Sequence, residues 1–280
     1  MSMTNREKRR RRLESERLIT RSSRPVAVRL AFVMRLRPPA AGRVLSIQSS
    51  VVHGTVGNQS ATLPLQLLGL TVDSLNTCSL SNHKAYAGGF AGAALPASQF
   101  RELMGGLRAN ALLERYDYVL TGYVGQPELL AAIADELEAM KAAKPELTVV
   151  VDPVLGDDGR LYVAEECVAI YRERMLPLCS VATPNAFELA LLTAADGDGE
   201  EAEAEVDVVE AATTEEGALV AVRALQARME QRAGGAAPTV LLTTLDEASR
   251  PECVIYGSHP VCGFRKYSLR LVLILKCIPL

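Results

Sequence analysis

From Arg43 onward, short runs of β-forming residues alternate with longer stretches of helix-forming residues. The clearest pair is Pro127 to Lys144, which has the length and apolar spacing of a crossover helix with proline in its first turn, and Leu147 to Val151 (LTVVV). A continuously apolar strand is typical of a parallel sheet that is covered on both faces. The alternation therefore predicts an α/β fold with a largely parallel central sheet and helices on both faces.

The remaining elements follow the same rhythm. We predict further strands at Arg43 to Gln48, Leu70 to Asn76, Tyr116 to Thr121, Cys179 to Ala182 and Thr239 to Thr243. We predict further helices at Asn58 to Leu68, Ser98 to Asn110, Glu165 to Met175, from Asn185 onward, and about Thr214 to Gln231.

Composition divides the chain into regions. Of its 280 residues, 49% are apolar and 22% are charged, as in a soluble globular protein. Residues 1–42 contain 12 Lys and Arg against 3 Glu, which leaves 18 basic and 30 acidic residues in the rest. We predict a basic disordered extension over 1–42, with a targeting segment or a nucleic-acid contact as alternatives. A folded domain is predicted over 43–260, with an acidic surface insertion at 195–216.

Residues 261–280 form an atypical tail, because the alternation of helix and strand stops there and acidic residues are absent. An edge strand at Leu269 to Leu275 is the alternative interpretation.

The cysteines and the apolar runs indicate a cytoplasmic protein. Six cysteines occur without a CxxC pair, so neither a zinc site nor a disulfide framework is indicated. The apolar runs near the two ends are much shorter than the ~20 residues of a membrane-spanning helix. His53 and His83 have no Ser or Cys at a spacing that would indicate a hydrolytic triad.

Polar residues follow several predicted strands, at the edge where parallel sheets bind ligands. They are Ser49, Asp152, Thr183, Asn185, Thr243 and Thr244. Asp152 is suited to Mg²⁺ through carboxylate oxygens, and a turn or helix cap is the structural alternative. Asn185 with Glu188 three residues later is also the pattern of a capping box. These positions alone do not decide between binding and capping.

Several longer motifs resemble one enzyme family. They are RVLSIQS (43–49), VGN (56–58), PLQLLG (64–69), SNH (81–83), YDYVLTGY (116–123), VDPVLGD (151–157), Tyr162-Val163 and TPNAFE (183–188). Together they resemble the pyridoxal kinases of the ribokinase-like superfamily over about residues 43–260. The resemblance implies ATP-dependent phosphorylation of pyridoxal, pyridoxine and pyridoxamine at the 5′-hydroxyl, in vitamin B6 salvage. A hydroxymethylpyrimidine kinase of the same superfamily is an alternative.

The resemblance also implies roles for individual residues. Substrate contacts fall on Ser49, Val56, Tyr123 and position 84, where Lys84 replaces a small hydroxyl of the relatives. ATP and phosphate contacts fall on Asp152, Tyr162, Thr183, Asn185, Glu188, Thr243 and Thr244, with Asp152 and Glu188 on the metal side. The expected cofactors are Mg²⁺ with ATP and a monovalent cation, K⁺ or Na⁺. The expected assembly is a homodimer, without a membrane or nucleic-acid partner.

The family's catalytic loop, Gly-Thr-Gly-Asp, has no counterpart after Pro260. That loop supplies anion-binding backbone N–H groups and an Asp that accepts the substrate proton. The resemblance therefore implies a truncated chain in which the C-terminal part of the ribokinase-like fold is incomplete. We expect its own activity to be low, so that a catalytically inactive protein is the alternative function. Such a protein would bind B6 vitamers or pair with a full-length protomer.

Overall fold

A computed structural model describes residues 42–157, 159–194, 215–233, 238–243, 253–259 and 263–269. The strands are β1 (Arg43–Val51), β2 (Thr71–Leu80), β3 (Gly92–Ala94), β4 (Tyr118–Thr121), β5 (Thr148–Val151), β6 (Gly156–Asp157), β7 (Arg160–Leu161), β8 (Val181–Ala182), β9 (Thr239–Leu242), β10 (Cys253–His259) and β11 (Gly263–Leu269). The α-helices are α1 (Asn58–Leu67), α2 (Ala97–Ala109), α3 (Pro127–Ala143), α4 (Glu166–Ile170), α5 (Ala186–Thr193) and α6 (Glu215–Ala233).

Among the described residues, nine strands form one sheet in the order β11-β10-β9-β8-β5-β4-β1-β2-β3, and β6 and β7 form a separate hairpin. The pairs from β2 through β1, β4, β5 and β8 to β9 are parallel. Parallel neighbours need crossover connections, which explains the helices between them. The predicted α/β class with a largely parallel sheet is confirmed. Because β1 lies between β2 and β4, the sheet has a topological switch point at β1, where ligands bind in such folds.

The core lies around the central strands and α3. Leu130, Ile133 and Leu137 of α3 are at most 1% exposed, and their spacing of three and four residues places them on one face. Val149 and Val151 of β5 are fully buried in the same hydrophobic core. Burying each leucine or isoleucine contributes about 1.5–3 kcal/mol, so these elements hold the strand ends of the sheet in fixed positions.

The structure differs from the sequence-based elements in several short segments. The predicted helix at Glu165 to Met175 is α4 followed by a π-helical turn at Tyr171–Met175 and a 3₁₀ turn at Leu176–Leu178. The short strands β3, β6 and β7 were not predicted, because two or three residues carry no periodic pattern.

The C-terminal described residues form an antiparallel hairpin of β10 and β11, which extends the sheet beyond β9. The strand alternative for the tail was placed at Leu269 to Leu275, whereas β11 spans Gly263–Leu269. The hairpin joins residues on both sides of the domain boundary predicted at 260. The basic extension up to residue 41, most of the acidic insertion and residues 270–280 lie outside the described residues.

None of the helices in the described part of the chain combines the length and the hydropathy of a bilayer-spanning segment.

Candidate active site

The polar residues that follow the strands form two groups along one edge of the sheet. One group surrounds the carboxyl ends of β1, β2 and β4, and the other surrounds those of β5, β8 and β9. Because all six strands are parallel neighbours, both groups face the same edge.

Ser49 lies near the end of β1, where the following loop returns close to it. Gly57 has a φ of +49°, and a Cβ there would overlap the backbone and the hydroxyl of Ser49. The next residue, Asn58, is buried and donates its amide to the carbonyls of Gln48 (3.2 Å) and Leu75 (3.0 Å). Only a glycine at position 57 lets the loop after β1 approach Ser49 this closely.

Val56 and Tyr123 meet at a small apolar cluster. Both pack against buried Val51, Cys78 and Leu80, which come from the ends of β1 and β2. Tyr123 follows β4, so this cluster joins three strand ends. It brings together two of the residues to which the resemblance assigns substrate contacts.

Lys84 contacts the same tyrosine. Its Nζ donates to the Tyr123 hydroxyl at 2.8 Å and lies 5.2 Å from the centroid of the Tyr123 ring. The Phe90 ring is on a second side, with its centroid 5.6 Å from Nζ. An ammonium near aromatic faces is stabilised by their quadrupoles, and these contacts hold the Lys84 side chain at the strand ends.

A cavity of about 200 Å³ opens beside these residues. Its lining includes Thr77, Lys84, Phe90, Tyr123 and Gln126. The volume suits a molecule with a single ring rather than a drug-sized ligand, whose pockets typically measure roughly 300–1,000 Å³.

Asp152 begins the second group. It follows β5 directly, its backbone N–H donates to the Thr121 carbonyl at 3.0 Å, and its carboxylate accepts a 3.2 Å hydrogen bond from the Thr183 hydroxyl. Among the described residues, the Thr183 hydroxyl is the side-chain donor to this carboxylate. A second carboxylate oxygen therefore keeps its acceptor capacity.

Glu188 and Asn185 form the capping box that the sequence pattern allows. The Asn185 side chain accepts from the Glu188 N–H, and the Glu188 carboxylate accepts from the Asn185 N–H, both at 2.8 Å. The other Glu188 oxygen accepts from the Leu155 N–H at 3.0 Å, and the Asn185 amide donates to the Gly156 carbonyl at 2.8 Å. Asn185 and Glu188 therefore cap α5 and, through the same side chains, hold the loop after Asp152 against the start of this helix.

Burial changes the acidity of both carboxyl groups. Desolvation raises the pKa of Asp152 to about 6, against the opposing hydrogen bond from Thr183. Desolvation also raises the pKa of Glu188 to about 8, where the Asn185 N–H opposes the rise and the charge of Asp152 adds to it. A half-buried Asp beside a buried Glu, both with a raised pKa, is characteristic of sites that take a cation or a protonated group.

The residues fit a Mg²⁺ ion with Asp152 as its protein ligand. Mg²⁺ is usually bound by one or two carboxylates together with phosphate oxygens and water, and no cluster of three or more acidic, His or Cys ligands occurs among the described residues. Both Glu188 oxygens already accept backbone N–H bonds. Glu188 is therefore better suited to act on a Mg²⁺ ion through its charge or through a bridging water than to bind the ion directly.

Two other residues of the predicted nucleotide side, Thr243 and Tyr162, are held by hydrogen bonds to neighbouring loops. Thr243 follows β9, and both its N–H (3.0 Å) and its hydroxyl (3.3 Å) donate to the Pro184 carbonyl, next to Thr183. The Tyr162 N–H donates to the Leu155 carbonyl at 2.8 Å, and its side chain is 38% exposed. Thr244 lies outside the described residues.

Three residues of this edge were not predicted from the sequence. The buried Thr77 hydroxyl donates to the Tyr123 carbonyl at 2.7 Å, and Phe90 packs beside Lys84. Phe90 lies in a Gly- and Ala-rich segment that offers no pattern, whereas the alternation in β2 could have indicated that Thr77 points inward. Tyr171 is fully buried, and the charges of Asp152 and Glu188 both raise its pKa, after desolvation as the largest cause.

Comparisons with known proteins identify the family. The sequence model of the phosphomethylpyrimidine kinase family matches residues 107–231. A solved pyridoxal kinase from Leishmania donovani, in complex with ADP and pyridoxamine, is 34% identical, with a TM-score of 0.63, and the match covers 81% of this chain and 70% of that one. This chain belongs to the pyridoxal kinase family.

Curated pyridoxal kinases show higher identity over a shorter length. The Arabidopsis thaliana protein is 48% identical over 169 residues, which is 59% of this chain and 54% of the relative. The Homo sapiens protein is 45% identical over 155 residues, which is 54% of this chain and 49% of the relative. The chain thus spans about half the length of these pyridoxal kinases.

Proposed function

We propose that this protein phosphorylates pyridoxal, and also pyridoxine and pyridoxamine, at the 5′-hydroxyl with ATP, giving pyridoxal 5′-phosphate for vitamin B6 salvage. The observation that carries the proposal is the pairing of two groups along one sheet edge. A cavity beside Lys84 and Tyr123 fits one ring, and the half-buried Asp152 with the buried Glu188 fits a metal ion on the phosphate side.

On the substrate side, Tyr123 and Lys84 provide an aromatic wall and donors for ring oxygens. Val56 supplies apolar contact, and Ser49 supplies a hydroxyl at the end of β1. Tyr123 is itself held by the Thr77 hydroxyl, which fixes its backbone carbonyl. These residues bind and orient the vitamer, which supplies the proximity that phosphoryl transfer requires.

On the phosphate side, Asp152 provides the oxygen ligand for Mg²⁺, with Thr183 fixing its carboxylate. When bound, Mg²⁺ neutralises charge on the phosphate oxygens during transfer. Glu188 and Asn185 position the loop after β5, and we assign contacts with the nucleotide to Thr243, Thr244 and Tyr162. A monovalent cation, K⁺ or Na⁺, a homodimeric assembly and a cytoplasmic location are further parts of this proposal.

One observation favours a second function. The sequence contains no Gly-Thr-Gly-Asp string, which in the family provides the proton acceptor. Removing a general base costs about 10²- to 10⁴-fold in rate, and removing anion-stabilising donors about 10²- to 10³-fold more. A chain that binds vitamers without phosphorylating them is therefore the alternative candidate.

A coupled assay separates the two candidates. The purified chain is incubated with MgATP and pyridoxal, and pyridoxal 5′-phosphate is quantified by chromatography, while vitamer binding is measured by calorimetry. Product that requires both substrates supports the kinase, and binding without product supports the alternative. Addition of hydroxymethylpyrimidine as a competitor tests the related kinase, since a preferred pyrimidine substrate would suppress formation of the pyridoxal product.

A further inference from the structure

Lys84 places a positive charge in the lining of the cavity. Its side chain is exposed, but the Tyr123 hydroxyl at 2.8 Å and the rings of Tyr123 and Phe90 hold the ammonium on the cavity wall. Its charge also acts on Cys78 in the same lining, where it opposes the rise in thiol pKa that burial causes. The ammonium is therefore close enough to act on a ligand in the cavity.

Among the lining residues that the structure describes, no carboxylate compensates this charge. The described residues that line the cavity include Lys84 but no Asp and no Glu. The remaining wall consists of apolar and aromatic side chains with the hydroxyl of Thr77 and the amide of Gln126. A ligand that enters thus meets a net positive charge beside aromatic surface.

We infer that Lys84 selects ligands by charge, favouring an aromatic ring with an anionic oxygen and disfavouring one with an additional ammonium group. The inference rests on the proposed function. For the three vitamers, it predicts that pyridoxal and pyridoxine bind more tightly than pyridoxamine. Pyridoxamine carries an aminomethyl group that is protonated at neutral pH, and in a cavity of about 200 Å³ that is lined by Lys84 the two positive charges repel each other. The inference concerns this chain in particular, since a small uncharged hydroxyl is expected at the equivalent position of its relatives.

The size of the effect follows from Coulomb's law. Two like charges about 5 Å apart in a cavity open to water repel by an amount that corresponds to roughly a fivefold to tenfold change in Kd. The repulsion weakens as salt is added, because the Debye length shrinks from ≈ 10 Å at 0.1 M to about 3 Å at 1 M ionic strength. Salt dependence therefore distinguishes a charge effect from a steric one.

The test is titration calorimetry of pyridoxine and pyridoxamine with the native chain and with two variants. Lys84→Met removes the charge and keeps the length of the side chain, whereas Lys84→Arg keeps the charge. The Kd ratio of pyridoxamine to pyridoxine is expected to be roughly five to ten in the native chain and in Lys84→Arg. It should fall to within about twofold in Lys84→Met, and also in the native chain at high salt.

Three other outcomes would overturn the inference. A ratio that is equal in the native chain and Lys84→Met, with both vitamers bound, overturns the inference and leaves the proposed function in place. A ratio in the native chain that does not change with salt also overturns it, and this measurement does not depend on whether a variant folds. Failure of the native chain to bind any vitamer overturns the proposed function and this inference together.

Discussion

Asn185 joins the start of α5 to the hairpin β6–β7, and its replacement by alanine should destabilise the protein. The side chain caps α5 through the Glu188 N–H and donates to the Gly156 carbonyl, both at 2.8 Å. Alanine removes both hydrogen bonds without adding bulk. Loss of an N-cap costs about 1 kcal/mol, and a buried carbonyl left without its donor costs about 1–3 kcal/mol.

The expected loss is therefore about 2–4 kcal/mol in the free energy of unfolding. Urea denaturation followed by circular dichroism measures it, since the chain contains no tryptophan for fluorescence. With a slope of about 2–3 kcal/mol per molar urea for a chain of this size, the midpoint should fall by roughly 1 M.

Asn110→Ala is the matched control. The Asn110 amide also donates to a backbone carbonyl, that of Gly106, at 2.8 Å, but at an exposed position. Its loss should change stability by no more than about 0.5 kcal/mol. If Asn185→Ala shifted the midpoint no further than Asn110→Ala, the account of Asn185 as the link between α5 and the Asp152 loop would be refuted.

Three further predictions concern single residues at this edge. Because the pKa of Glu188 is raised from 4.5 to about 8, its contribution to the stability of the metal-free protein is fully present below pH 4.5 and is lost as the pH rises through about 8. The unfolding midpoint of Glu188→Gln should therefore fall less between these two pH values than that of the native chain, and parallel pH profiles of the two proteins would contradict the raised pKa. Gly57→Ala should lower the free energy of unfolding by roughly 2 kcal/mol and weaken pyridoxal binding, because a Cβ at position 57 meets Ser49. The control Gly88→Ala should change neither property, because a Cβ there meets no atom within 4 Å, and equal effects in the two variants would refute the argument. Tyr171→Phe should raise the free energy of unfolding by about 1 kcal/mol, because it removes a buried hydroxyl that has no hydrogen-bond partner among the described residues. A lower thermal midpoint of the variant would show that this hydroxyl does form a hydrogen bond.

The sequence predicted well the elements whose patterns are long and regular. The helix predicted at Pro127 to Lys144 is α3 at Pro127–Ala143, and the strand predicted at Leu147 to Val151 is β5 at Thr148–Val151. In α3 the spacing of the apolar residues matches the buried face of the helix, and in β5 Val149 and Val151 are fully buried whereas Thr148 and Val150 are half-buried. Asn185 also begins a capped helix, as its spacing from Glu188 allowed.

Other features depend on contacts between segments that are distant in the sequence. The hairpin β6–β7 occupies two residues on each side, and its position is fixed by Asn185, about 30 residues later. Likewise, Phe90 becomes part of the cavity only because the chain after β2 folds back beside Lys84. The double role of Glu188, in capping and in charge, could not be read from the motif, since the motif is the same for either role.

Transfer of phosphate from ATP to pyridoxal is the measurement that tests the central claim most directly. Under single-turnover conditions with γ-labelled ATP, Mg²⁺ and pyridoxal, the account predicts labelled pyridoxal 5′-phosphate in an amount that scales with the protein. The Asp152→Ala variant should form it at least about 10²-fold more slowly, because the proposed Mg²⁺ ligand is lost. Absence of labelled product from the native chain, while pyridoxal and MgATP both bind, would contradict the proposal that this chain is a kinase.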